Sequence, residues 1–475
     1  MKDAYLIIGG TRISPQEREK LEIINPATGE AIGLVPVATQ EDISHAAKTA
    51  HSGFLAWKNV PASDRAAVLV KTAEILRSKA ADIGEILTLE QGKVRAEAAG
   101  EATFSATIFE FFAKEALKYG DYVVDGGPAN VELKVVHEPV GPVAVFTPWN
   151  FPLIEPAAHC AAALAAGCSV VLKVSEETPL SGIALVDALL DAGLPEDAIS
   201  LLTGDPAFIA EHLVAAREIK HVALTGSIPA GRSLASLAGK HLKPVTLELG
   251  GDAPVIVCED VDVDAIASLV ASRKFRNAGQ VCTAPNRIFV HDMIFDRFVD
   301  AYCGFLAKIA VGPGTDARSE MGPLANERRL QAMAAFVEEA KAAGSEIRLG
   351  GKRVAGPGYF FENTVIVEPA ARLAVSTQEI FGPISPIWRF KDYAEILERA
   401  NSSSAGLAGY VYSNDQNRAD ELVRKLEVGT AAVNQGAVMF PEAPFGGTKD
   451  SGFGRICGPQ GISQYFSAKL IATGR

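Results

Sequence analysis

The period of hydrophobic and polar positions changes several times along this chain, and each change marks a new block. Residues 1–60 read as short strands and turns, punctuated by Asn25-Pro26 and Thr28-Gly29. Beyond Ser63, placed to cap a helix, Leu69, Ala73, Leu76, Ala80, Ile83 and Leu87 recur at steps of four and three. That spacing lines one face of a long helix, with Gly92 as its stop. A second helix carries Phe104, Ile108 and Phe111 on one side and closes at Gly120. Both helices read as scaffolding.

Residues 121–140 change character. Tyr122-Val123-Val124, Gly126-Gly127-Pro128 and Val131–His137 predict a β-ribbon that leaves the helical layer. With so few local partners it is expected to pair elsewhere, another subunit being one option.

From Gly141 the pattern alternates. Strands are predicted at Val143–Phe146, Ser169–Val174, Ile199–Leu202, His221–Leu224 and Val245–Leu249. Helices fall between them at Pro156–Ala166, Leu180–Ala192 and Ala230–Ala238. Such alternation implies a parallel sheet covered on both faces, with ligands at the carboxyl ends of its strands. A second α/β run starts near Ala253, with strands at Val255–Val257, Arg287–Val290, Ile384–Phe390, Leu407–Tyr412 and Ala431–Asn434. Its helices are placed at Val263–Phe275, Phe295–Ala310, Asn326–Ala343, Tyr393–Ala400 and Asn414–Leu426. The last forty or so residues are rich in Gly and Pro and end in a strand-like tail.

Composition narrows the picture. A chain of 475 residues exceeds one hydrophobic core, so two or three domains are expected. The 48% hydrophobic and 21% charged content is that of a globular protein. A net charge of −12 argues against nucleic acid or an anionic membrane as partner. Six scattered cysteines without a CxxC pair suit a reducing compartment, and the eight histidines lack metal-ligand spacing, so no metal site is expected. Leu6-Ile7-Ile8 is too short for a signal-peptide core, and Ala157–Leu172 falls short of a membrane span. A cytoplasmic protein is the expectation.

Candidate chemistry gathers at strand ends. Gly279-Gln280-Val281-Cys282-Thr283 places a thiol in a tight turn between a helix and a strand, as a nucleophile requires, although a lone Cys is more often a small core residue. Thr147-Pro148-Trp149-Asn150-Phe151-Pro152 holds an amide donor between two prolines, or is an ordinary turn. Lys173-Val174-Ser175-Glu176 offers a cation and a carboxylate for a ribose, or a surface ion pair. Thr225-Gly226-Ser227 opens a helix whose N–H groups suit a pyrophosphate, without GxGxxG spacing. Leu247-Glu248-Leu249-Gly250-Gly251 puts a carboxylate in an apolar strand end, where burial raises its pKa toward that of a general base; a satisfied Glu is the alternative. Glu379-Ile380-Phe381 pairs an acid with an aromatic ring. Pro444–Gly447 and Ser451–Gly454 read as turn-rich loop.

Together and in this order, TPWNFP, KVSEETP, LTGS, LELGG, GQVCTAPNR, EIFGP and PFGGTKDSGFGR resemble the aldehyde dehydrogenase superfamily, from about Asn25 to the C-terminus. The resemblance implies NAD(P)-dependent oxidation of an aldehyde to a carboxylic acid, a semialdehyde being one option. It implies an α/β fold with a Rossmann-like cofactor domain over 1–120 and 141–250, and an α/β catalytic domain over 251–434. It also implies a pocket loop over 435–454 and a small β oligomerisation element from 121–140 and 455–475. Cys282 would attack the aldehyde carbon, and its thiohemiacetal would pass a hydride to the nicotinamide and become a thioester. Asn150 and the Cys282 N–H would hold the oxyanion, and Glu248 would activate water.

Cofactor contacts are implied for Thr147, Pro148, Trp149, Lys173, Ser175, Glu176, Thr225, Gly226, Ser227, Leu249, Glu379 and Phe381. Glu176 would repel a 2′-phosphate, which favours NAD over NADP. Substrate contacts are implied for Phe151, Glu155, Arg276, Val281, Thr283, Met439 and Phe445. EQGK at 90–93 and KFRNAGQ at 274–280 look like the succinate-semialdehyde dehydrogenase branch, in which the arginine matching Arg276 binds a carboxylate. Ala158 and Met439 stand where that branch has a further arginine and a serine. His159 replaces a common lysine, and Glu155 adds charge near the expected pocket mouth. These departures imply a pocket less committed to dicarboxylic semialdehydes, open to aliphatic, aromatic or hydroxylated aldehydes. Thr283 and Ala284 leave no second cysteine for a redox switch. The resemblance implies a homodimer or homotetramer. A CoA-acylating relative, or a non-catalytic NAD-binding oligomer on the same scaffold, is the rival; Glu248 argues against the first, and the joint presence of Cys282, Asn150 and Glu248 against the second.

Overall fold

A computed structural model describes residues 3–474; residues 1, 2 and 475, at the ends of two expected ranges, lie outside it. Two sheets organise the chain. The first has eight strands, in the order Thr11–Ile13, Leu6–Ile8, Ile199–Leu202, Val170–Lys173, Val143–Phe146, His221–Gly226, Val245–Leu249 and Gly452–Phe453. The five central strands are parallel and buried on both faces, which is why each reads as a short apolar run. The strand order reverses at Val143–Phe146. Sequence neighbours build outward from it in one direction and His221–Gly226 lies on its other side, so a crevice opens at the carboxyl ends.

The second sheet runs Glu346–Leu349, Thr364–Val367, Ile384–Phe390, Arg287–His291, Pro254–Val257, Ala408–Tyr412 and Thr430–Val433. It is parallel except at its first strand. Two mostly parallel sheets, one after the other along the chain, form the α/β architecture that the motifs imply.

Several elements differ from the sequence reading. Gln40–Trp57 is a helix, not part of a strand-and-turn region. Its buried face is largely Ala46, Ala47, Ala50 and Gly53, whose small side chains give a faint period, and Thr39 and Asp42 close a capping box. The helix after residue 60 is two helices, Ala62–Ser78 and Ala80–Gln91, broken at Lys79. Pro61, not Ser63, occupies the cap position. Gly92 does end the second, in the left-handed region at φ 97°. The following helix ends at Ala116, short of Gly120. Strands Glu346–Leu349 and Thr364–Val367 went unread, and Phe295–Leu306 is shorter than expected.

The ribbon finds its partner inside the chain. Val131–Pro139 pairs antiparallel with Phe466–Gly474 on one side and Tyr122–Val123 on the other. The tail strand is one of the two edges of this three-stranded sheet, Tyr122–Val123 being the other. Among the described residues, no helix is long and apolar enough to cross a membrane.

Candidate active site

The turn that carries the thiol is forced by its neighbours. Val263–Phe275 ends at Arg276, and Asn277 and Ala278 then take left-handed φ values of 49° and 53°. Non-glycine residues enter that region at a cost of roughly 1–2 kcal/mol each, so the surroundings must hold them there. They do. The Asn277 amide donates to Asn150 O at 2.9 Å, and Gln280 Nε2 donates to Asn277 O at 3.0 Å. Gln280 Oε1 in turn receives the Ala325 N–H at 2.9 Å. At Gly279, with φ 74°, a Cβ would meet Gly382 O at 2.2 Å, so only glycine fits. One further close approach matters: a Cβ on Gly251 would meet the Cys282 carbonyl at 2.4 Å, so the LELGG strand end abuts the nucleophile turn.

Cys282 is half-buried at a wall shared by two cavities. One, of about 340 Å³, is lined by Phe151, Glu155, Arg276, Val281, Thr283, Met439 and Phe445 among others. The second, about 210 Å³, brings Asn150, Glu155, Glu248, Glu379 and Phe381 to the same sulfur. Pro148, Trp149 and Thr225–Ser227 then connect it to a cleft of about 700 Å³ at the strand reversal, with Lys173, Ser175 and Glu176 on its wall. Residues far apart in sequence thus converge along one continuous path.

Asn150 spends one side-chain N–H on Gln280 O at 3.1 Å, and its second has no partner among the described residues. Glu248 is buried, and its Oε1 likewise lacks a partner. Burial first, then the charges of Glu155 and Glu379, hold the Glu248 carboxyl well above the usual range. Burial also pushes the Cys282 thiol up, reinforced by Glu248, Glu155 and Glu379. Glu379 accepts the Gly251 N–H at 3.1 Å, and burial raises it to about 7.

The structure corrects two expectations and narrows a third. Glu155 is not at a mouth; it is buried beside Cys282 on both cavities, raised to about 7 by desolvation. His159 lines none of the three cavities: it is buried, with Nε2 2.9 Å from Thr225 Oγ1, and burial lowers it to about 3, so its ring is neutral. The Leu249 side chain packs in the core, because alternation along its strand turns it beneath Gly231, where a Cβ would meet it at 2.3 Å, so a cofactor contact at this residue would have to come from its backbone.

Two functional candidates escaped the sequence reading. Arg329 lines the second cavity and bonds the Ile380 and Phe381 carbonyls. Arg273 lines the first, three residues before Arg276; that spacing was the available signal.

The cleft fits a dinucleotide on its own features. It lies at the strand reversal, opens onto the first turn of the helix Ile228–Lys240 and joins the cavity that holds the thiol. A doubly wound sheet whose cleft leads to a half-buried thiol is the arrangement that a dinucleotide-dependent oxidoreductase with a cysteine nucleophile requires.

Comparison with known proteins is specific. The aldehyde dehydrogenase family matches residues 13–471. A putative 4-(hydroxymethyl)benzenesulfonate dehydrogenase of Comamonas testosteroni is 40% identical over 98% of this chain and 97% of its own. The NADP(+) succinate-semialdehyde dehydrogenase of Escherichia coli is 36% identical, covering 98% and 97%. The solved succinate-semialdehyde dehydrogenase of Burkholderia pseudomallei superposes with a TM-score of 0.97 at 36% identity, over 99% and 98% of the chains. The chain belongs to the aldehyde dehydrogenase family and is an NAD(P)-dependent enzyme acting on an aldehyde.

Proposed function

We propose that the chain oxidises its aldehyde through a covalent adduct on Cys282, releases the acid by hydrolysis, and prefers NAD. One observation carries this reading: Cys282, Glu248 and Asn150 line one cavity together, with the sulfur at its junction with the other, and Asn150 keeps one side-chain N–H uncommitted among the described residues. The thiol is stored protonated, so attack on the carbonyl carbon needs a proton acceptor beside it, and Glu248 is adjacent. Asn150 donates to the oxygen that gains charge. The bound dinucleotide supplies the hydride acceptor that takes the thiohemiacetal to the thioester level. Glu248, once it has passed the thiol proton to solvent, removes a proton from the attacking water; the carbon–sulfur bond breaks, and the proton returns from Glu248 to the sulfur as the acid leaves.

Lys173 and Glu176 would hold the adenosine ribose, Ser227 and the helix start the phosphates, and Glu379 with Phe381 the nicotinamide side. Lys173 is already paired with Glu176 at 2.8 Å, and Arg328, also on the cleft, is paired with Glu177. A 2′-phosphate would therefore meet a carboxylate and find no free cation there, which supports NAD.

The grouping of 1–120 with 141–250 around the first sheet and of 251–434 around the second supports cofactor and catalytic domains, with 435–454 as pocket loop. The sheet of Tyr122–Val123, Val131–Pro139 and Phe466–Gly474 supports the expected oligomerisation element, and with it a homodimer or homotetramer, through its open edges. All six cysteines are free, which suits the cytoplasm.

The test is turnover with aldehyde and NAD in the presence and absence of CoA. Steady acid production without CoA is expected, and Glu248→Gln should give a single burst of NADH with little turnover. Strict CoA dependence would overturn the hydrolytic assignment.

A further inference from the structure

The cavity in front of Cys282 carries two arginines, and their surroundings differ. Arg276 has its guanidinium over the Phe151 ring at 5.1 Å and lies beside Glu97. Burial raises the Glu97 carboxyl, and Arg276 is the largest influence opposing that rise. Glu97 thus bears on the charge of Arg276, although the Arg276 side chain too has no carboxylate at ion-pair distance and no hydrogen bond among the described residues, and the Glu97 carboxylate itself accepts the Asn277 N–H. Arg273 is half-buried, and among the described residues it has neither a carboxylate at ion-pair distance nor a hydrogen bond. Its electrostatic neighbours Tyr410 and Tyr412 donate elsewhere, to Thr283 O at 2.8 Å and Gln435 O at 3.2 Å.

The site is also shaped for this side chain. A Cβ on Gly436 would meet Arg273 Cγ at 2.5 Å and Nε at 2.6 Å, so the glycine makes room for the arginine stem. Arg273 and Arg276 both line the first cavity and neither lines the second, whereas Cys282 and Glu155 line both. The cationic wall therefore stands away from the junction with the cofactor path. Phe104, Phe151, Met439 and Phe445 supply apolar surface in the same cavity. A partly desolvated guanidinium without a partner is costly, and a carboxylate or sulfonate matches its planar fork.

We propose that Arg273 anchors an anionic group on the substrate, so that this enzyme acts on aldehydes carrying a carboxylate or sulfonate at the end opposite the carbonyl, joined by an apolar body. The inference rests on aldehyde oxidation at Cys282 as proposed above. Arg276, held over the Phe151 ring and within the field of Glu97, is the lesser contributor.

The test has two arms. In the first, kcat/KM is compared for 4-formylbenzoate, 4-formylbenzenesulfonate and benzaldehyde, and for succinate semialdehyde and butanal, in the native enzyme and in Arg273→Met and Arg273→Gln. The native enzyme is expected to favour the anionic member of each set at least tenfold, and both variants to reduce that ratio at least tenfold, chiefly through KM. In the second arm, calorimetry measures 4-formylbenzoate and benzaldehyde binding to Cys282→Ala protein, with and without Arg273→Met, each variant checked by its melting curve. Tighter binding of the anion that disappears with Arg273 supports the assignment even if no aldehyde turns over, which separates it from failure of the catalytic reading. An anionic preference that is absent, that survives loss of Arg273, or that is abolished only by Arg276→Met overturns it.

Discussion

The Lys93 ammonium lies 2.9 Å from the Asn150 backbone carbonyl, fully buried, and pairs there with Glu101. Glu101 also receives the Leu153 and Ile154 N–H groups at 2.9 and 3.2 Å, and the Asn277 amide reaches the same Asn150 carbonyl at 2.9 Å. Three segments distant in sequence thus fix the turn that aims the Asn150 side chain. Lys93→Met would leave Glu101 buried without its cation, a change that costs about 3–5 kcal/mol in comparable pairs. Chemical denaturation should show a loss of that order, and kcat should fall more than KM rises. Native-like stability in this variant would show that the pair does not hold the turn.

Asn150 itself is a test of charge stabilisation. Asn150→Ala removes a donor of the oxyanion type, worth roughly 10²–10³ in kcat. Substrate affinity should change little, because the charge it meets develops only after attack. An equal loss in ground-state binding, measured by KM and pre-steady-state bursts, would instead make Asn150 a substrate contact.

The reactivity of Cys282 should climb steeply with pH. Burial and three carboxyl neighbours raise the thiol, so in the enzyme alone it stays protonated at neutral pH and ionises only on the alkaline side of its ordinary value of 9.0. Iodoacetamide labelling of Cys282, followed by mass spectrometry, is expected to be slow at pH 7 and to accelerate above pH 9. Glu155→Gln removes one negative neighbour and should move the labelling profile toward lower pH. A profile that stays in place would show that Glu155 does not bear on the thiol.

Cofactor choice turns on Glu176. Replacing it with Gln frees Lys173 from its ion pair at 2.8 Å and deletes the charge that a 2′-phosphate would meet. The ratio of kcat/KM for NADP to that for NAD should rise at least about tenfold, equivalent to about 1.4 kcal/mol. No change in the ratio would locate the discrimination elsewhere in the cleft.

The tail strand offers a test of assembly. Leu470 and Ile471 on it, with Tyr122 and Val123 on the opposite edge strand, are 60, 42, 53 and 52% exposed. Exposed apolar residues along an open edge invite a second copy. Ending the chain after Tyr465 removes that strand and should convert an oligomer to a monomer by light scattering. A native protein already monomeric at assay concentration would refute the role.

Much of the architecture was legible because buried parallel strands impose continuous apolar runs. Ile199–Leu202, Val245–Leu249 and Ile384–Phe390 were placed residue for residue, as was the helix Val263–Phe275. Gln40–Trp57 was not, because a helix buried through alanine and glycine has little contrast between its faces. Residue types and their positions at strand ends also determined the candidates at the site, Cys282, Glu248 and Asn150 among them. Charge, pairing and depth were decided only by the tertiary structure, since each depends on what a side chain meets across the fold. Packing buried Glu155 beside the sulfur, took His159 out of the pocket, and set Arg276 over the Phe151 ring near Glu97 while Arg273 stands without a carboxylate beside it. A linear pattern records which groups are present; the free energy of each charge follows from the dielectric and the partners that only the folded chain supplies.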